Sequence, residues 1–285
     1  MKLETGKVHT IVTDLDGTLL TKEGTISELN QKVLQKAIDN GIEVVLATGR
    51  RFYSTYKLAS SFSGTLPLIC NNGQILRIYP SREKIWQKYL HPELVLQILM
   101  IGKEKKFTFL MHTDREEEKI DFITEKPTHS IHEDYSGGID RSFWHEKIES
   151  ADILYNVTVL CFFNASIDVL QDFGKLILAK YPNEGIRTVL TTIHKIGPCL
   201  EVIHADSSKW VGVEEILRRR GDTYEGVIAF GDEANDFEMI KESGIGVALS
   251  NSIQSLKEIA KHVSKYSHSE DGVGKTLLDF DIVRI

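Results

Sequence analysis

The chain has 285 residues, 41% of them hydrophobic, enough for one large or two ordinary domains with a proper core. Its 34 basic and 41 acidic residues give a formal net charge of −7, and no block of Lys and Arg is dense enough to follow a nucleic-acid backbone, so no nucleic-acid partner is expected. Residues 1–10 are polar, without an apolar core of signal-peptide length, and no uncharged apolar stretch could span a bilayer; the expectation is a soluble, cytoplasmic protein with no membrane partner.

The first predicted element is a strand over 8–13, ending in Asp14-Leu15-Asp16-Gly17-Thr18. Two carboxylates spaced i, i+2 at a strand's end create a negative potential that a cation or a bound proton must offset. Mg2+ suits such a site, because it takes oxygen ligands and commonly shares protein carboxylates with a phosphate. One carboxylate could act as a nucleophile and the other could exchange a proton with the leaving or attacking oxygen. Gly17 lets the turn close, and Thr18 offers a hydroxyl. The plainer alternative is an Asp-Gly turn with a capping Thr.

Ser27 caps a predicted helix with apolar positions Leu29, Val33, Leu34 and Ala37, stopped by Gly41. A buried strand over 42–47 ends in Thr48-Gly49-Arg50, and another over 66–70 ends in Asn71-Asn72-Gly73. Ligands of open parallel sheets bind outside the carboxyl ends of strands, so these three loops could share one crevice. Between 84 and 198 the texture changes to an inserted α+β domain, with strands at 107–112, 119–124, 155–163 and 187–193 and helices at 92–104 and 166–181. Its acidic, turn-rich stretch 114–149, with Ser136-Gly137-Gly138 near the centre, is expected to be exposed. His112, His129, His132 and His145 could line a face of this domain, but their spacing fits no metal motif, and they read as surface or packing histidines.

The α/β pattern then resumes, with strands at 200–204, 226–231 and 244–249 and helices at 208–220, 234–242 and 253–262. Arg218-Arg219-Arg220 before Gly221 reads as a helix's last turn, favoured by its dipole. The strand before Gly231 leads into a second acidic cluster, Asp232-Glu233-Ala234-Asn235-Asp236, which could complete the metal shell begun at Asp14; Asn235 and Asp236 could instead cap the following helix. Lys209, after Ser207-Ser208 at a helix start, is placed to reach a phosphate. Cys70, Cys161 and Cys199 are too few and too far apart for a disulfide framework or a zinc site and read as buried thiols.

With these pieces in order, the chain resembles the haloacid dehalogenase-like phosphatases, specifically the Cof-type hydrolases with a large inserted cap, over nearly its whole length. The first motif matches Asp14-Leu15-Asp16-Gly17-Thr18-Leu19-Leu20, the second Ala47-Thr48-Gly49-Arg50, the third Lys209, and the fourth Gly231-Asp232 with Asn235-Asp236. Asn71-Asn72-Gly73, Asn251 and Glu270-Asp271-Gly272-Val273 also fit. The resemblance implies an α/β fold: a Rossmann-like parallel-sheet core with helices on both faces, formed by 1–83 and 199–285, and an α+β cap over 84–198 that recognises substrate. It implies a phosphatase acting on a small phosphorylated metabolite, with Asp14 as nucleophile and Asp16 as general acid/base. Mg2+ would be held by Asp14, Asp16 through its main-chain carbonyl, and Asp232, with Asp236 behind them. Leu15, Thr48, Gly49, Lys209 and Asn235 would bind phosphate or substrate. A phosphotransferase or mutase, and a non-catalytic phosphate-binding module, are the alternatives; the paired Asp14 and Asp16 argue against the last. The chain departs from the family pattern at Trp210, Gln74 and 249–252, none of which removes a catalytic group; Trp210 reads as a core-packing residue.

Overall fold

The computed structural model describes residues 8–126, 131, 135, 141–193 and 196–285. Two compact units divide the chain: one runs to Gln87 and resumes at Ser208, and the other spans Lys88–Ser207. The first begins with β1 (Thr10–Thr13), α1 (Glu28–Asp39), β2 (Glu43–Ala47), α2 (Phe52–Ala59), β3 (Leu66–Cys70), β4 (Ile75–Tyr79) and β5 (Lys84–Gln87). The second contributes α3 (Pro92–Glu104), β6 (Thr108–Arg115), β7 (Ile120–Glu125), β8 (Ser142–His145), β9 (Val157–Phe163), α4 (Ile167–Lys180), β10 (Ile186–Ile193) and β11 (Gly197–His204). The chain returns to the first unit with α5 (Lys209–Arg220), β12 (Val227–Gly231), α6 (Phe237–Glu242), β13 (Ile245–Ala248), α7 (Gln254–Ile259), β14 (His262–Val263) and α8 (Gly272–Asp279).

Among the described residues, the first unit holds a sheet in the order β14-β13-β12-β1-β2-β3-β4-β5, parallel except for the antiparallel β3-β4-β5 edge. Its strands read as unbroken apolar runs because both faces are covered. Val12, Val45, Ala47, Ile69 and Ala229 pack with Trp210, Val213, Met239 and Leu256 from α5, α6 and α7. The opposite parity, Ile11, Val44, Leu46, Ile228 and Phe230, is equally buried, and α1 lies against β2 and α8. Trp210 is therefore a core residue, as its sequence context suggests. Ser27 accepts from the Asn30 N–H at 3.2 Å and caps α1, while Gly221, at φ +71°, ends α5 after its three arginines. Arg218 and then Arg219 pull Glu215 down to about 2.

The second unit is α+β, with a sheet in the order β10-β11-β9-β6-β7-β8, antiparallel except for β7–β8. One face packs α3 and α4 over Met111, Ile123, Phe162, Leu200 and Val202; the other carries Leu110, Phe122, Cys161, Phe163 and Cys199 with Tyr135. The three cysteines are buried free thiols. His129, His132 and Ser136-Gly137-Gly138 lie outside the described residues. His112 is a packing residue, its Nε2 2.8 Å from the Tyr135 hydroxyl.

Several sequence expectations are corrected. The strand expected at 200–204 is the end of β11 and belongs to the second sheet, paired with β9 and β10, because Leu200 and Val202 pack on the α3–α4 side. Lys84–Gln87, expected at the start of the insert, is the edge strand β5 of the first sheet, its register with β4 set by a hairpin. The unit boundaries accordingly fall at 87/88 and 207/208. The helix expected over 253–262 stops at Ile259, and His262–Val263 adds a short strand beside β13.

Candidate active site

β1 lies between β12 and β2, so successive crossovers leave it in opposite directions and the strand order reverses there. The loops after β1, β12, β2 and β3 all leave the carboxyl ends of neighbouring parallel strands. Asp14 is the first residue beyond β1, and its N–H donates to the Phe230 carbonyl at 3.0 Å, locking the ends of β1 and β12 together.

Lys209, the first residue of α5, has a fully buried side chain, and its Nζ donates to Asp14 Oδ1 and Asp236 Oδ1, each at 2.6 Å. The other oxygen of Asp236, Oδ2, accepts from the Asp232 N–H at 2.9 Å and the Glu233 N–H at 3.2 Å, fixing the backbone from which Asp232 projects. Thr18 Oγ1 donates to Asp232 Oδ1 at 2.8 Å. Gly17 makes that approach possible: it adopts φ +75°, and a Cβ there would sit 2.1 Å from Asp232 Oδ2.

Carboxylate oxygens of Asp14, Asp232 and Asp236 all lie within 4.8 Å of one another. Three buried carboxylates around one ammonium leave an excess of negative charge. Burial, reinforced by Asp236 and Asp232 against the pull of Lys209, raises Asp14 to about 7. Asp232 rises to about 6, chiefly through burial. For Lys209 burial works downward, but Asp14 and Asp236 outweigh it and the ammonium is held above its usual range. Hard oxygen donors with surplus charge fit a divalent cation such as Mg2+.

Asp16 stands apart from this cluster. Its side chain is 59% exposed, and both oxygens accept from Arg50, Oδ2 from Nε at 2.6 Å and Oδ1 from Nη2 at 2.5 Å. Its carboxylate is thus not in the cluster that the metal set anticipates; the expected contribution of Asp16 to a metal was through its main chain. Leu15, expected among the substrate-binding residues, has its side chain completely buried in the core, which leaves its main chain for a ligand.

Thr48 is buried, and its Oγ1 accepts from the Arg50 N–H at 3.1 Å. The Asn71 N–H donates to the Arg50 carbonyl and the Asn72 N–H to the Thr48 carbonyl, so the β2 and β3 loops are stitched together beside Gly49. Gly73, at φ +90°, lets this turn approach the start of α5, where a Cβ would lie 1.7 Å from the Ser208 carbonyl oxygen. Asn235 Nδ2 donates to Asn72 Oδ1 at 3.0 Å, linking the fourth motif to the β3 loop. Asn251 Nδ2 donates to the Gly17 carbonyl at 2.9 Å and supports the first loop from the far side. Sequence reasoning gave no role to Arg50, Asn72 or Asn251, although all three stand in motifs it singled out.

A 5-amino-6-(5-phospho-D-ribitylamino)uracil phosphatase of Bacillus subtilis is 28% identical over 96% of this chain and 98% of its own length. A pyridoxal phosphate phosphatase of Escherichia coli is 24% identical over 89% of this chain and 92% of its own. The crystal structure of a haloacid dehalogenase-like hydrolase from Bacteroides thetaiotaomicron superposes with a TM-score of 0.81 at 25% identity, covering 96% of this chain and 99% of that one. The sequence model of the haloacid dehalogenase-like hydrolase family matches residues 11–277, and with the motifs set out around β1 and β12 the chain belongs to that family of hydrolases.

Proposed function

We propose that the chain is a Mg2+-dependent phosphatase that hydrolyses a small phosphomonoester, a sugar phosphate or a phosphorylated cofactor or nucleotide, through an aspartyl-phosphate on Asp14. The observation that carries this reading is the buried cluster of Asp14, Lys209, Asp232 and Asp236 at the carboxyl ends of β1 and β12. Asp14 attacks phosphorus and the bond to the leaving oxygen breaks; Asp16 supplies the proton that oxygen takes. Asp16 then removes a proton from the water that attacks the acyl-phosphate, returning Asp14 and releasing phosphate. Lys209 holds Asp14 in one orientation and places an ammonium beside the transferring oxygens, with Thr48, Gly49 and Asn235 supplying polar contacts around them. Asp14, Asp232 and the Asp16 carbonyl would hold Mg2+, which when bound neutralises charge on the transferring phosphoryl group. Asp236 orients Lys209 and the Asp232 backbone.

The names of the two relatives support small phosphorylated metabolites as the substrate class. A panel of such compounds, including pyridoxal phosphate and 5-amino-6-(5-phospho-D-ribitylamino)uracil, should yield free phosphate in step with substrate loss when Mg2+ is present. Transfer of the phosphoryl group to a sugar hydroxyl without free phosphate would establish a phosphotransferase instead, and no turnover of any member would favour a binding module.

A further inference from the structure

We propose that Arg50 is an exchangeable clamp on Asp16, which lets go of the carboxylate to take the phosphate of an arriving substrate; this rests on the phosphatase reading above. The motif residue Arg50 is launched from a rigid base, since its N–H is bound by Thr48 Oγ1 and its carbonyl by the Asn71 N–H. Its guanidinium then forms a two-pronged pair with both oxygens of Asp16. A carboxylate engaged in this way has one lone pair of each oxygen committed to the guanidinium, and opening a prong frees an oxygen to carry a proton to or from the reacting oxygen.

The two cation–carboxylate links of this unit differ in kind. Lys209 is sealed between Asp14 and Asp236, with no solvent exposure, and breaking it would strand buried charge. The Arg50–Asp16 pair has side chains 31% and 59% exposed, so solvent screens it and can take over its hydrogen bonds when it opens. Arg50 also lies within the electrostatic reach of Asp14, where the phosphoryl group must arrive. A phosphate dianion offers the same planar fork a better-charged acceptor than Asp16 does. One binding event would then complete the phosphate site and release the acid/base.

The test is a double-mutant cycle on the affinity of the full-length protein for inorganic phosphate with saturating Mg2+, read by calorimetry. Arg50→Ala should weaken phosphate binding about tenfold, and Arg50→Lys should recover part of the loss. Asp16→Asn should tighten binding in the Arg50 background by about fivefold, by removing the competitor, and by much less in the Arg50→Ala background. An equal gain in both backgrounds would mean that Asp16 merely repels phosphate, and would overturn the exchange. Equal affinity of wild type and Arg50→Ala would overturn it as well. Wild-type protein that binds no phosphate at all would instead sink the phosphatase reading on which the exchange rests. If Arg50→Ala does not fold, the same cycle run with Arg50→Lys decides the matter, because a lysine keeps the charge and loses the fork.

Discussion

Asp14, the proposed nucleophile, is held in a position that costs stability. It is 5% exposed and faces two other carboxylates with one ammonium between them. Replacing it with asparagine keeps the shape and removes both the proposed nucleophile and one unit of repulsion. Asp14→Asn is therefore expected to lose turnover by about three orders of magnitude or more, while the thermal midpoint measured without metal stays level or rises. Residual activity above about 1% of wild type, with folding intact, would count against a covalent intermediate. At this scale the sequence was informative where one residue type has a narrow use. The spacing of Asp14 and Asp16 announces a charged loop, and Thr18 offers a hydroxyl that the structure finds on Asp232. It was silent on Arg50, because which carboxylate a flexible cation pairs with depends on a contact 34 positions away in the chain.

Elements were legible where a period or a cap marks them and less so where a polar residue does the packing. In α1 the apolar period selects Leu29, Val33, Leu34 and Ala37, yet the structure buries Asn30 and leaves Leu29 partly exposed. Asn30 Nδ2 donates to the Leu19 carbonyl at 3.2 Å, and its Oδ1 accepts from the Gly274 N–H at 2.8 Å, tying α1 to the first motif's loop and to α8. A hydropathy pattern cannot register such a residue, since its value lies in two main-chain partners. Asn30→Ala strands both and should cost about 2 kcal/mol, seen as a lower denaturant midpoint at an unchanged slope. A loss below about 0.5 kcal/mol would mean that water replaces the amide. The assignment of β11 to the second sheet was illegible for a related reason: local alternation predicts a strand but carries no information about which sheet it joins.

For the molecule as a whole, the charge surplus predicts a linkage between pH, metal and stability. Asp14 and Asp232 lie at about 7 and about 6 against an ordinary 3.8, so the native state retains protons that the unfolded chain releases. Their contribution is fully present below 3.8 and is lost as pH rises through about 6 and about 7. In chelator, the melting temperature should therefore fall by several degrees between pH 5 and pH 8, beyond any general trend seen in the Asp14→Asn, Asp232→Asn double variant. Mg2+ should restore it at pH 8 and act weakly at pH 5, because binding to the native carboxylates competes with protons. The second unit calls for a different experiment, because its role was the least legible part of the chain. Tyr135 is packed among Phe122, Phe163 and His112, so its replacement would act through folding. Phe143 and Trp144 on β8 are 43% and 37% exposed. If this unit sets selectivity while the first performs the chemistry, Trp144→Ala should change the ranking of kcat/KM among natural phosphomonoesters by about tenfold, roughly the value of one aromatic contact. Hydrolysis of an activated aryl phosphate, which needs little recognition, should stay within about twofold. Equal losses on both substrate types, with the melting temperature unchanged, would place Trp144 in the chemical step and move the boundary of the active site beyond the loops of the first sheet.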